Sequence, residues 1–307
     1  MLTKVSIKNF RGLNIETDLK RVNVIVGKNG TGKTNFLEAI YLSAIFYSKI
    51  DPQAIQGFIL AMLNNRGDLL SMYNSIADAD VTVWNDNEEL KITYKREDPY
   101  TLDVLYPRTV VATMSLENAG ISFMGVNISP MLVRVTVNQK VVMQKIELPI
   151  YIPTNFDKYT LTDGIISHAR YTMNTNSNFE VAQDEYGRDI LYYKMGDKQI
   201  PAYLIGRGLL KEELIKDSLL FNSVVLIDEI EDSLYPDTLL RVLKTIKESK
   251  TQVIFTTNSN DVLRIITEMF NDDEVNLIYL AKDGYKIYHE ISLFKDFEKP
   301  LDWVGYL

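Results

Sequence analysis

Residues 27–34 read GKNGTGKT, and this spacing of glycine, lysine and threonine is typical of a P-loop that binds phosphate. Glycines in a tight turn let successive backbone N–H groups point at one anion. Lys33 can then reach the β- and γ-phosphates of a nucleotide, and the Thr34 hydroxyl can bind Mg²⁺. The segment therefore predicts a nucleotide and magnesium site, with a chance glycine-rich turn as the alternative interpretation.

An acidic pair, Asp228 and Glu229, follows a second apolar run at residues 224–227. An unbroken run of branched apolar residues is typical of a strand buried in a parallel sheet. P-loop nucleotidases place their second magnesium ligand at the end of such a strand, which makes Asp228 the candidate metal ligand. Glu229 is the candidate base that polarises the attacking water. The alternative interpretation is an acidic pair that is only solvated.

The segments around these residues predict the elements that position them. An apolar strand at 22–26 runs into the loop, and an apolar helix at 35–48 follows it, so the positive end of the helix would face the bound anion. The later part of the chain is expected to hold helix 209–221, strand 224–227, helix 237–248, strand 252–257, helix 261–270 and strands 275–281 and 285–291. This order indicates an α/β fold whose mostly parallel core sheet takes strands from both ends of the chain.

The intervening sequence has a different pattern. Residues 2–19 alternate as an N-terminal hairpin, and residues 52–64 are amphipathic and predict a helix. Short alternating runs separated by turn residues predict an inserted antiparallel β-lobe at 79–150. Residues 155–183 are polar and are interpreted as helical or loop-like, and Gly196 predicts the turn of a further hairpin.

Composition excludes several classes of protein. The 307 residues contain no cysteine and two histidines, so no disulfide framework, thiolate metal site or histidine-rich metal site is expected. No apolar run is long enough to cross a membrane and the start of the chain does not resemble a signal peptide, which predicts a cytoplasmic protein without a membrane segment. The net charge of −8 argues against a broadly basic nucleic-acid surface but permits a local basic patch.

Taken together, these segments resemble the RecF/SMC/OLD-like branch of ABC-class P-loop ATPases. Residues 7–12 and 27–40 resemble the family's opening and its Walker A motif, and residues 227–236 resemble its Walker B motif and D-loop. Residues 255–259 fall where the family has its switch segment, and residues 206–210 fall where it has its signature segment. The resemblance implies an ATPase head over residues 1–307.

The resemblance also implies a sandwich in which two heads hold ATP and Mg²⁺ between them. Thr34 and Asp228 would bind the metal, and Lys33, Glu229 and Asn258 would act in hydrolysis. The residues expected to contact the nucleotide are Arg11, Gly27, Lys28, Asn29, Gly30, Thr31, Gly32, Lys33, Thr34 and Asn35 of one head, and Gly206, Arg207 and Gly208 of the other.

The chain departs from the family pattern at several positions. Asn258 stands where a switch histidine is usual and cannot carry a proton, and Arg207 replaces an acidic or hydroxyl residue. Asp232 and Tyr235 differ from the usual asparagine and histidine. These differences predict slow turnover, and the sequence does not identify a glutamine that contacts the metal.

Four parts of the head are expected: the hairpin, P-loop and first helix at 1–50, the β-lobe at 79–150, a helical and signature region at 155–222, and the rest of the core at 223–307. No long heptad segment interrupts the chain, so we expect no SMC-type coiled coil. The short segment after Ile291 also leads us to expect no C-terminal Toprim nuclease domain.

Three functions are consistent with these observations. The first is an ATP-hydrolysing switch that dimerises around nucleotide and acts with DNA, or with a separate nuclease or effector chain, in DNA repair or antiviral defence. The second is a nucleotide-binding scaffold with little hydrolysis, which Asn258 permits. The third is a transporter ATPase subunit, which is disfavoured because the Ser-Gly-Gly-Gln signature of transporters does not occur.

Overall fold

The computed structural model describes residues 1–47, 78–86, 88–94, 101–106, 109–118, 121–123, 126–128, 131–137, 149–154, 177–183, 187, 189–295 and 299–300. The predicted helix at 52–64 lies outside these residues, as do 138–148 of the predicted β-lobe and 155–176 of the region interpreted as helical or loop-like.

Strands and helices alternate in the core as the sequence predicts, and the described residues between 79 and 201 are mostly in strands. In chain order they are β1 (Leu2–Phe10), β2 (Leu13–Asp18), β3 (Val22–Gly27), α1 (Lys33–Tyr47), β4 (Ala79–Asn85), β5 (Glu88–Tyr94), β6 (Thr101–Tyr106), β7 (Thr109–Asn118), β8 (Ile121–Phe123), β9 (Val126–Ile128), β10 (Met131–Val137), β11 (Ile150–Ile152), β12 (Phe179–Gln183), β13 (Asp189–Met195), β14 (Lys198–Pro201), α2 (Arg207–Phe221), β15 (Val224–Ile227), α3 (Pro236–Glu248), β16 (Gln252–Thr257), α4 (Asn260–Met269), β17 (Val275–Ala281) and β18 (Gly284–Tyr288).

A six-stranded sheet in the order β11-β15-β16-β3-β17-β18 forms the core. Its pairings are parallel except for the last, between β17 and β18. Every residue of β3, β15 and β16 is buried, as expected for central strands of a parallel sheet that is covered on both faces. The α/β fold with a mostly parallel sheet is confirmed, and the carboxyl ends of β11, β15, β16 and β3 lie side by side at one edge.

A second, antiparallel sheet has the order β10-β7-β6-β5-β4-β1-β2. β1 pairs with β2 on one side and with β4 on the other, so strands from the predicted β-lobe extend the sheet that begins with the N-terminal hairpin. Helix α1 lies between the two sheets, because its side chains share one buried cluster with residues of β1, β4 and one face of the core sheet. This position explains why α1 is apolar on nearly all sides.

Helices α2, α3 and α4 contribute to a second buried cluster, which includes the other face of the core sheet. A three-stranded antiparallel sheet in the order β12-β13-β14 precedes α2, and the β13–β14 hairpin turns at Gly196 as predicted. The interpretation of 155–183 as helical or loop-like is wrong at β12, where Phe179 pairs with Tyr193. Among the described residues of 155–222, α2 is the α-helix, and the described residues just before it are largely in strands. Among the described residues, no helix is both long and apolar enough to cross a membrane.

Candidate active site

The P-loop leaves the end of β3 through Gly27, at a position where no larger residue fits. The φ angle of Gly27 is +155°, and a Cβ atom built there would lie 2.4 Å from the Leu280 carbonyl oxygen of β17. Gly32, at φ +97°, immediately precedes α1, and its carbonyl accepts the Phe36 N–H at 2.9 Å. The glycines thus let the loop pass close to β17 and enter the helix within one turn.

Lys33 is buried inside this loop. Its Nζ donates to the carbonyl oxygens of Gly27 at 2.8 Å and Lys28 at 3.3 Å. Burial lowers the pKa of Lys33, while the carboxylates of Glu229 and Asp228 act in the opposite direction. The ammonium group is therefore held by the loop that is expected to receive the phosphates.

The Asp228 carboxylate accepts hydrogen bonds from three hydroxyl groups on three separate segments. The Thr34 Oγ1 lies 3.0 and 3.2 Å from its two oxygens, the Thr154 Oγ1 lies 3.1 Å from Oδ2, and the Thr256 Oγ1 lies 2.7 Å from Oδ1. Thr34 is in the first turn of α1, Thr154 follows β11, and Thr256 is in β16. The cluster therefore joins three elements to the end of β15.

Thr34 and Asp228 have the donor chemistry that Mg²⁺ requires. Magnesium prefers oxygen ligands and is usually bound by one or two protein groups, with waters and substrate phosphates completing an octahedron. No group of three or more His, Cys, Asp or Glu side chains that could hold a metal by themselves occurs in the described part of the chain. The site thus fits a cation that arrives with a nucleotide, held by Thr34 and Asp228.

Glu229 begins a sharp turn directly after β15. Its φ of +43° is left-handed, which is uncommon for a residue other than glycine and costs about 1–3 kcal/mol. Its N–H donates to the Thr256 Oγ1 at 2.7 Å. Burial raises the pKa of the Glu229 carboxyl, and the carboxylates of Asp228 and Glu231 raise it further.

Lys211 of α2 donates hydrogen bonds to the carbonyl groups of the same turn. The sequence did not identify this residue. The side chain is fully buried, and its Nζ donates to the carbonyl oxygens of Glu229 at 2.7 Å, Asp232 at 3.2 Å and Asp228 at 3.4 Å. Burial lowers the pKa of Lys211 to about 8, although the acidic groups of Asp232 and Glu231 oppose the shift. The one available signal was a lysine on the buried face of a helix, which requires polar partners.

The signature residues Gly206, Arg207 and Gly208 lie at the beginning of α2. Gly206 is the exposed N-cap of α2, and a Cβ atom built on it would meet nothing within 4 Å. Arg207 is exposed as well. Gly208 packs against its own chain, because a Cβ atom there would lie 2.5 Å from the Ser233 carbonyl oxygen. Gly208 is therefore needed for the contact between α2 and the turn after β15.

Comparison with known proteins agrees with this arrangement. A family model described as an AAA ATPase domain matches residues 1–204, which is more than half of the 307-residue chain. The chain belongs to this AAA ATPase family.

Partial sequence matches connect this AAA ATPase domain to RecF. The chain is 48% identical over 44 residues to the DNA replication and repair protein RecF of Clostridium tetani (strain Massachusetts / E88), covering 14% of this chain and 12% of the relative. It is 47% identical over 58 residues to RecF of Flavobacterium johnsoniae, covering 18% of this chain and 16% of the relative. The matches therefore span less than a fifth of these curated relatives.

One solved structure extends the likeness in fold to most of the chain. The SMC head bound to the C-winged helix domain of ScpA aligns with a TM-score of 0.50 and 14% identity, covering 94% of this chain and 97% of that one. With the RecF matches and the family model, this places the AAA ATPase domain in the SMC/RecF-like ABC class of P-loop ATPases. The OLD-like part of the resemblance stays a prediction.

Two further residues predicted for the site contact the turn after β15 and the beginning of α1. Asn258 follows β16 and is exposed, and its N–H donates to the Glu231 Oε1 at 2.9 Å. Arg11 has a φ of +49°, and its Nη1 donates to the Asn35 Oδ1 at 3.3 Å and forms an ion pair with the fully buried Glu38. The structure therefore places Arg11 against the beginning of α1.

Two nitrogen atoms of the Arg11 guanidinium make no hydrogen bond in this position to the part of the chain that the structure describes. Its Nε and Nη2 are buried and have no hydrogen-bond partner among the described residues. Glu38, which pairs with Nη1, was not identified from the sequence because an isolated glutamate in an apolar helix does not indicate its partner.

Proposed function

We propose that the chain binds ATP with Mg²⁺ and hydrolyses it slowly, as a head that closes around nucleotide with a second copy and switches a partner. The observation that supports the chemistry best is the Asp228 cluster. It brings the Thr34 hydroxyl of the P-loop helix within 3.0 Å of the carboxylate that precedes Glu229. The groups needed for phosphoryl transfer to water thus share one edge of the core sheet.

The roles of the residues follow from their chemistry. Backbone N–H groups of 27–34 would bind the phosphates, and Lys33 would exchange its carbonyl partners for phosphate oxygens. A magnesium ion held by Thr34 and Asp228 would supply neutralisation of the charge on the transferred phosphoryl group. Glu229 would accept a proton from the attacking water, and the burial and neighbouring carboxylates that raise its pKa make it a stronger proton acceptor.

The proposal of a second copy rests on the surface around the signature turn. Four large apolar side chains are exposed there: Tyr203 by 40%, Leu204 by 66%, Leu209 by 39% and Tyr235 by 81%. Tyr203, Leu204 and Leu209 flank Gly206 in the chain, and its open surroundings leave room for a γ-phosphate held by the other head. Tyr235 lies at the start of α3, two residues after the Ser233 that contacts Gly208. Exposed apolar groups of this kind favour a protein partner, and the N-terminus of α2 favours an anion.

The biological setting is proposed by analogy alone. RecF relatives are named for DNA replication and repair, and the SMC head of similar fold is bound to a winged-helix domain of ScpA. We infer a cytoplasmic role in DNA repair or antiviral defence, with DNA or a separate effector or nuclease chain as partner. A scaffold with little hydrolysis is the second candidate, because Asn258 cannot carry the proton of a switch histidine.

The test is single-turnover hydrolysis with ATP affinity measured by calorimetry. Glu229→Gln keeps the shape of the side chain but cannot act as a base, so its rate should fall by about 10²–10⁴-fold while affinity is unchanged. Lys33→Ala should instead lose affinity, by about tenfold or more, because it removes charge-assisted hydrogen bonds to phosphate.

Lys244→Ala is the control for Lys33→Ala, because this exposed lysine of α3 has no described contact with the P-loop. Affinity that is unchanged in Lys33→Ala would contradict the P-loop assignment. A wild-type rate in Glu229→Gln would remove Glu229 as the base, and no hydrolysis by the wild type would favour the scaffold.

A further inference from the structure

Thr256 makes two short hydrogen bonds with one hydroxyl group, and both partners are proposed to act in catalysis. The side chain is fully buried in β16. Its Oγ1 lies 2.7 Å from the Asp228 Oδ1 and 2.7 Å from the Glu229 nitrogen. A threonine hydroxyl has one proton to donate and lone pairs that accept, so it donates to the carboxylate and accepts from the amide.

The backbone of Thr256 holds the next residue of the same turn. β15 and β16 pair in parallel as far as Ile227 opposite Phe255, and the ladder ends there. The Ile230 N–H then donates to the Thr256 carbonyl oxygen at 3.0 Å. One residue therefore binds the amides of both Glu229 and Ile230, at the point where the chain enters a left-handed conformation.

A left-handed residue other than glycine persists only where its surroundings hold it in place. Lys211 binds carbonyl groups of this turn, whereas Thr256 binds its amides and the carboxylate that precedes it. Of these two residues, Thr256 is the one that touches the Asp228 side chain and the Glu229 backbone with a single atom. Its hydroxyl is thus placed to set the position of Glu229 relative to Asp228.

We propose that Thr256 is a positioning residue for ATP hydrolysis, whose hydroxyl fixes the metal-binding carboxylate of Asp228 and the turn that carries Glu229 in one arrangement. The inference rests on the proposed ATPase function. It requires the hydroxyl group itself and not the volume of the side chain, so valine and serine substitutions separate the two. Thr256→Val keeps the shape without donor or acceptor, and Thr256→Ser keeps the hydroxyl and loses a methyl group.

Thr257 supplies a matched control in the adjacent position. It is also fully buried in β16, and its Oγ1 accepts the Ser259 N–H at 3.0 Å, on the way into α4. Thr257→Val therefore removes a buried hydroxyl of the same strand whose described hydrogen bond does not involve Asp228 or Glu229. Thermal unfolding of all variants checks that each one is folded.

The experiment combines single-turnover hydrolysis with the gain in ATP affinity that Mg²⁺ gives, measured by calorimetry with and without the cation. Thr256→Val should slow hydrolysis by about tenfold or more and lose part of the magnesium-dependent gain, because a buried carboxylate and a buried amide each lose a partner. Its affinity for ATP without magnesium should stay that of the wild type. Thr256→Ser should restore the rate to within about threefold, and Thr257→Val should hydrolyse at close to the wild-type rate.

Two results would overturn the proposal: a folded Thr256→Val that hydrolyses ATP at the wild-type rate, or a Thr256→Ser that is as slow as Thr256→Val. Failure of the proposed function looks different, because the wild type itself would then not hydrolyse ATP. The magnesium-dependent gain in affinity would still decide whether Thr256 positions Asp228, and an unchanged gain in Thr256→Val would contradict the proposal in that case.

Discussion

The turn at 228–233 and the signature turn at 203–209 contact each other, yet they are held in opposite ways. The first is fixed from several sides, by hydroxyl groups of three segments around Asp228 and by the buried Lys211 ammonium on its carbonyl groups. The second has an open N-cap at Gly206 and is flanked by exposed tyrosine and leucine side chains. The comparison indicates that one half of the site is complete within the chain, while the other half is suited to a ligand or partner from outside.

Removing the hydrogen bonds that hold the turn at 228–233 should have a larger effect than changing the signature turn, and the effect should be on the rate of hydrolysis. Lys211→Met keeps most of the apolar side chain but leaves three carbonyl groups without their donor. We expect single-turnover hydrolysis to slow by about tenfold to a hundredfold, because unsatisfied buried groups would let the turn at Glu229 shift. ATP affinity should change little, since Lys211 has no described contact with the P-loop.

Glu212→Gln is the control for Lys211→Met, because it alters the next residue of α2. Glu212 accepts two hydrogen bonds from Arg241 of α3, both at 3.1 Å, and neither involves the turn. If Glu212→Gln slowed hydrolysis as much as Lys211→Met, the effect would come from a general loosening of α2. That result would contradict a specific role of Lys211 in holding the turn at 228–233.

Adding a charge to the second turn should have a smaller effect. We expect it to weaken the association of two heads and to leave the single head unchanged. Gly206→Asp places a carboxylate where the other head's γ-phosphate is proposed to lie, whereas Gly206→Asn adds a neutral group of similar size. Both residues are good N-caps, so the fold and the ATP affinity of a single head should be retained. We expect ATP-dependent dimerisation to be weaker in the aspartate variant by about tenfold, as like charges at a protein surface predict.

Sedimentation of the two Gly206 variants with ATP measures this difference. Equal dimerisation of Gly206→Asp and Gly206→Asn would argue against a phosphate at this turn. Gly208 is a poorer probe, because a side chain there would collide with the Ser233 carbonyl group and disturb the first turn as well.

The sequence predicted the parts of the site that local patterns encode. The P-loop and the acidic pair could be identified because a short motif follows an apolar strand in each case, and Thr34 and Asp228 do lie together. Thr154, Thr256 and Lys211 could not be identified, because each one acts through residues far away in the chain. A single threonine at the end of a buried strand looks the same whether its hydroxyl binds a carboxylate or a neighbouring amide.

Long-range strand pairing limited the prediction of the fold in the same way. The sequence of 79–150 indicated strands, but only the structure shows that β4 pairs with β1 and joins them to the N-terminal hairpin. β12 was missed because its polar residues Glu180 and Gln183 weaken the strand pattern, and pairing with β13 supplies the missing stabilisation.

The most direct test of the account is the solution mass of Glu229→Gln, measured by light scattering with ATP, with ADP and without nucleotide. ATP can shift the equilibrium only by binding better to the closed pair than to single heads, and the γ-phosphate is the group that would reach the Gly206 turn of the other copy. We predict the mass of a monomer with ADP or without nucleotide and the mass of a dimer with ATP. The same mass in all three conditions would contradict the claim that two half-sites close around nucleotide.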